Sequence, residues 1–280
     1  MSRISLIFCL ITIFLPIAPA YSQNHGDNLR EEFRDGFIAG LRSERNIRDK
    51  ILPFRLGAEK TEVVVRNMLI VVNDDAVANR IFEEFVASGM MKKFETNPRS
   101  LLANSELLQS LGNELFLMLG MKGLRRLDYQ DLRIYLSVVG LIFDSMPPRV
   151  CRVLFTGDFS GEKERNVLGM LHIRSMSLKD TERFFAVYRR AALAEARDFP
   201  SVRKINESQR KIAEEAFGQI VLETLSSHPR GEWIATAFVN PNDASDKDLC
   251  EAGQVMINSL LAMKGIAAEW QTRVFIESIQ

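Results

Sequence analysis

Histidine is scarce in this chain: three in 280 residues, at His25, His172 and His228, far apart in sequence. No H-x-x-x-H pair and no C-x-x-C occurs, so the spacings that place zinc or haem ligands on one helix face or one knuckle are missing, and no metal or cofactor is expected. The glycines form no G-x-x-x-x-G-K-[ST] or G-x-G-x-x-G loop for a phosphate, and no G-x-S-x-G elbow for a nucleophilic serine. An excess of either charge is also lacking, with 36 basic against 36 acidic residues. General binding to nucleic acid or to an anionic membrane depends on clustered positive charge, so neither is expected. No catalytic residue set is recognisable.

What the chain does have begins at its start, "MSRISLIFCLITIFLPIAPAYSQ". Arg3 precedes an apolar run from Ile4 to Ile17, and Ala18-Pro19-Ala20 offers small residues at the positions a signal peptidase reads. Residues 1–20 therefore read as a secretory signal cleaved after Ala20. The run is shorter than the ~20 apolar residues of a spanning helix and is broken by Pro16, so stable membrane insertion is not expected. The expected location is exported: periplasmic in a bacterium, otherwise secreted. Cleavage removes Arg3 and leaves 35 basic residues against 36 acidic ones, close to neutral.

Cleavage also removes Cys9 and leaves two cysteines, Cys151 and Cys250. A small even number in an exported chain reads as a disulfide. The rival readings are two buried free thiols, or one reactive thiol, which would need a histidine partner; none is near in sequence, although Arg149 and Arg152 supply charge beside Cys151. A bridge closing so long a loop would restrict the unfolded chain by up to ~4.7 kcal/mol in the chain-entropy account.

The rest of the pattern is helical. Leu29, Phe33, Phe37 and Leu41 recur every four residues within 27–48, read as one helix. Val77, Ile81 and Phe85 form a second stripe, and the run 104–124 opens at a cap, Asn104 or Ser105. Asp128 and Asp131 head an apolar run to Phe143; Pro147 and Pro148 suit the first turn of a short helix carrying Cys151. Ser177 with Asp180 has capping-box spacing before a stripe of Phe184, Val187 and Ala191. Residues 206–229 place Ile212, Phe217, Ile220 and Leu225 on an expected buried face. Ser245 and Asp248 open a helix with Cys250 in its first turns, and 266–280 closes the chain as another. Two stretches are less clear. The β-branched density of "AEKTEVVVRNMLIVVND" suits a strand but its flanks favour a helix, and "GEWIATAFVNPNDAS" reads as strand-like or irregular. The expectation is an all-α fold: a single bundle of about nine or ten helices over 21–280, with a weak sub-boundary near 122–128.

One segment stands out as a surface. In "SSHPRGEWIATAF", His228, Arg230 and Trp233 gather polar and aromatic groups at a turn, and arginine and tryptophan are frequent in binding hot spots. The plainer reading has Pro229–Gly231 making a turn that Trp233 anchors to the core. The sum of these features is an exported helical protein whose partner is another protein. The alternative is a carboxylate-dependent hydrolase acting on cell-envelope polymer, with Glu162 or Glu207 as its acid.

Overall fold

A computed structural model describes residues 26–87, 118–156 and 173–279. Among them every regular element is helical and there is no strand, so the fold is all-α. The α-helices are α1 (Gly26–Leu41), α2 (Glu44–Ile51), α3 (Ala58–Val72), α4 (Asp75–Ala87), α5 (Tyr129–Ser145), α6 (Pro148–Thr156), α7 (Leu178–Ala196), α8 (Glu207–Ser227), α9 (Gly231–Val239), α10 (Asp246–Ala262) and α11 (Gly265–Ser278). The expected signal segment, the cap at Asn104 or Ser105, and His25, His172 and Glu162 lie outside the described residues.

Local chemistry explains most of the boundaries. The helix expected over 27–48 is two helices, because Ser43 leaves the helical conformation and its hydroxyl accepts from the Asn46 N–H at 3.4 Å, starting α2 afresh. Asp128 caps α5 by accepting from the Asp131 N–H at 2.8 Å. Ser177 accepts from the Asp180 N–H at 3.1 Å at the head of α7. Asn206 and Gln209 close a reciprocal capping box on α8, at 2.9 and 3.0 Å. Ser245 caps α10 through the Asp248 N–H. The β-branched run 62–72 belongs to α3, with Val63, Val64, Val65, Met68, Val71 and Val72 buried; packing outweighs the strand propensity of its valines. The stretch 231–239, expected to be strand-like or irregular, is helix α9, because Ile234 and Ala237 are spaced to bury one face and both are fully buried.

The described residues cluster into two compact units, and the chain first passes from one to the other between Leu124 and Arg125. The N-terminal unit takes the described residues up to Leu124 and those from Tyr188 to Pro200, the second half of α7 among them. In it α1 packs on α2 and α4, and α3 packs on α2 and α4. Phe37 lies 5.0 Å from Phe85 and 5.8 Å from Phe82 between ring centroids, making an aromatic core. Arg48 joins α2 to α3: it donates to Glu44 at 2.8 Å and to both oxygens of Glu62, at 2.5 and 2.9 Å. The guanidinium of Arg48 holds the Glu62 carboxyl below the usual carboxylate range. The helical residues 118–123 meet the second half of α7 closely. A Cβ on Gly120 would fall 2.3 Å from the Tyr188 ring, and one on Gly123 would fall 1.9 Å from the Ala191 carbonyl oxygen.

The second unit holds the described residues from Arg125 to Val187 and from Ser201 onward. Its centre is α10, which packs on α5, α6, α8, α9 and α11. Ten of its residues are buried, Leu249, Val255, Met256, Ile257 and Leu260 among them. The absence of a side chain at Gly253 lets α10 lie against Phe143 of α5, whose ring would be 2.4 Å from an added Cβ. At the other end α11 buries Arg273 to 3 % exposure. That charge is matched by Glu269, at 3.0 and 3.1 Å, and by the carbonyls of Leu127 at 3.2 Å and Arg125 at 3.5 Å. No helix among the described residues is long and apolar enough to cross a membrane.

Candidate interaction surface

The second unit contains the Cys151–Cys250 disulfide, which joins α6 to α10 with the Cα atoms 5.2 Å apart. Cys151 is fully buried and Cys250 nearly so. Next to Cys151, Arg152 reaches the turn before α10 and its first residue. Its Nε donates to Asp246, its Nη2 to the Ala244 carbonyl, and its Nη1 to the Asn242 carbonyl at 3.4 Å. Of the two positively charged neighbours of Cys151, Arg152 is a tether, and the thiol it could have activated is oxidised.

The first turns of α10 are also where Arg230 is spent. Its guanidinium donates to Asp248 and, at 2.8 Å, to Glu251, while Lys247 lies 3.7 Å from the same Glu251. The Arg230 N–H donates to Nδ1 of His228 at 3.1 Å. The Gly231 N–H donates to the His228 carbonyl at 2.9 Å, completing the turn. The turn can be this tight because Gly231 has no side chain: a Cβ there would fall 1.9 Å from the Leu225 carbonyl oxygen. Sequence places His228, Arg230 and Trp233 together, and the structure divides their roles. Arg230 and His228 build the corner between α8 and α9.

Trp233 does not anchor that corner to the core, as the plainer reading had it. It is 66 % exposed, and Ile234, one residue on, takes the buried position. In a helix adjacent residues point about 100° apart, so only one of the two can face α10. Trp233, Thr236 and Val239 follow one another at three-residue steps on the outer face of α9, and Val239 is 80 % exposed. The neighbouring α8 contributes Leu222, 62 % exposed, and Ile212, 48 % exposed. Ile212 had been expected in the core; the residue that α8 buries is Ala213, and Phe217, Ile220 and Leu225 are half-buried. Four large apolar side chains of these two helices are thus exposed, and of the four the periodicity argument had placed Ile212 inward.

The other candidates among the described residues are dispersed. Glu207 sits exposed in the first turn of α8, where a carboxylate favours the helix N-terminus. Glu277 accepts from Arg210 at 2.6 Å. Among the described residues no group of histidine, cysteine and carboxylate could hold a metal ion. An open depression of about 370 Å³ in the N-terminal unit is lined by Glu44, Arg45, Arg48, Asp49, Leu52 and Thr61, and its Arg48 is already committed to Glu44 and Glu62. No family model matches the sequence, and no curated protein and no solved structure is significantly similar to it.

Proposed function

We infer that this chain is an exported helical protein that works by binding another protein, with the outer faces of α9 and α8 as its contact surface. The observation that carries the reading is Trp233, two-thirds exposed on a helix whose opposite face is fully buried. A large aromatic side chain left in water brings a substantial apolar area to an interface at little entropic cost, and tryptophan leads the residue types found in hot spots. Arg230, tied to Asp248 and Glu251, fixes the turn from which α9 starts, so the surface is presented on a braced element. Export is supported by the composition of residues 1–20 and by the pairing of the two cysteines that remain without them.

Two measurements test this. The intact mass of the protein produced from its own leader should match a start at Tyr21 with no alkylatable cysteine; a chain still carrying residues 1–20 would contradict export. A photo-crosslinking amino acid at position 233, in cells of the source, should give one discrete adduct that also forms from position 239. The same probe at exposed Lys211, on the charged flank of α8, should give little of it. Equal labelling from all three positions, or an adduct that survives Trp233→Ala in an otherwise crosslinkable Val239 variant, would remove α9 as the contact surface.

A further inference from the structure

We propose that helix α6 is a redox-releasable latch: a dithiol reductant can cut the Cys151–Cys250 bond only when α6 lifts from α10, and Arg152 is the gate that resists the lift. This goes beyond the binding reading and does not depend on it. A nine-residue helix is too short to persist alone, so α6 owes its structure to what it packs against, and among the described helices its main partner is α10. Val150, Cys151, Val153 and Phe155 are its buried face. Three kinds of attachment hold that face down: the apolar burial, the disulfide, and the Arg152 fork on Asp246 and the carbonyls of Asn242 and Ala244.

Thiol–disulfide exchange needs a thiolate in line with the S–S bond, so access governs its rate as much as chemistry does. Both cysteines are buried. Reduction in the folded protein must therefore pass through a local opening. Arg152 adjoins Cys151 in sequence, and its acceptors lie four to eight residues before Cys250, so the fork spans the same gap as the disulfide. Breaking it is part of the opening. The chemistry balances with the dithiol alone: one of its thiolates attacks a protein sulfur, its second thiol displaces the mixed disulfide, and two electrons and two protons pass to Cys151 and Cys250 while the reductant closes to its own disulfide. After reduction the covalent tie is gone, and α6 is left with its apolar contacts and Arg152.

The test follows the full-length oxidised protein in dithiothreitol, with alkylation and mass to count reduced chains and hydrogen exchange to follow α6 and α10 separately. Reduction of the native protein should be slower than in denaturant by about a hundredfold or more, the signature of an opening step. Arg152→Ala should speed native reduction by about tenfold, the order expected for losing a charge-assisted hydrogen bond, and leave the denatured rate unchanged. Reduced wild-type protein should lose protection in residues 150–156 while α10 keeps it, and Cys151→Ser with Cys250→Ser should show the same pattern without reductant. Should Arg152→Ala fail to fold, as circular dichroism would show, Asp246→Asn gives the same comparison by removing the fork's charged acceptor. Equal native and denatured rates, no acceleration in the Arg152 or Asp246 variant, or loss of protection in α6 and α10 together would each overturn the latch.

Discussion

Helices α8 and α10 belong to the same unit and pack on one another, yet they are built to different ends. The longer, α8, has 21 residues and one fully buried side chain, Ala213; α10 has 17 residues and buries ten. Both carry leucine, isoleucine and valine, both begin at a capped N-terminus, and both would be drawn as amphipathic from their sequences. The difference lies in what surrounds them. Among the described helices five pack on α10, and ten of its residues are buried, whereas α8 rests on α9, α10 and α11 and buries only Ala213 fully. A helix is stabilised by whichever faces are covered, and the remainder is free to serve another surface.

Truncation in the two helices should therefore differ most. Ile257→Ala in α10 removes a fully buried side chain and should lower the unfolding free energy by about 2–5 kcal/mol, whereas Leu222→Ala in α8 should change it by less than about 0.5 kcal/mol. Urea titration of both variants measures this directly, and similar losses would mean that α8 is covered in solution. Glycine sharpens the contrast by changing its sign. Gly253→Ala pushes a methyl into the Phe143 ring and should cost about 1–3 kcal/mol, while Gly218→Ala enters open space and should stabilise by about 0.5–1 kcal/mol through helix propensity. Thermal unfolding of the pair would expose any hidden neighbour of Gly218 as a missing gain. The smallest effects should be alike: Asn206→Ala and Ser245→Ala each remove a side-chain cap and should each cost about 1 kcal/mol, because capping acts on the first turn and is indifferent to what covers the rest.

The features that are local in origin were legible in the sequence. Asp128, Ser177 and Ser245 could be placed at helix starts because a cap needs only its own side chain and an N–H two or three residues on. The disulfide was legible by arithmetic once residues 1–20 were read as a signal and Cys9 set aside with them. What was not legible depends on the packing of distant segments. Periodicity assigned Ile212 to the core because it marks an apolar stripe without knowing whether anything covers it. The stretch 231–245 reads as strand-like or irregular from sequence, because the fully buried Ile234 and Ala237 that fix α9 gain their stability only from the rest of the unit. For the candidate site, composition drew attention to Trp233, but only the structure turns it outward.

The close meeting of residues 118–123 with α7 has a consequence for how this chain can vary over time. At Gly120 and Gly123 the space a side chain would need is already occupied, by the Tyr188 ring and by main-chain atoms of Ala191. Tyr188 can be replaced and Gly120 could then drift with it, so those two positions should change as a pair. Ala191 presents its carbonyl, which every amino acid carries, so no exchange at position 191 can make room. Gly123 should therefore stay glycine in any descendant that keeps this fold, even where the outer faces of α8 and α9 have diverged to suit a new partner.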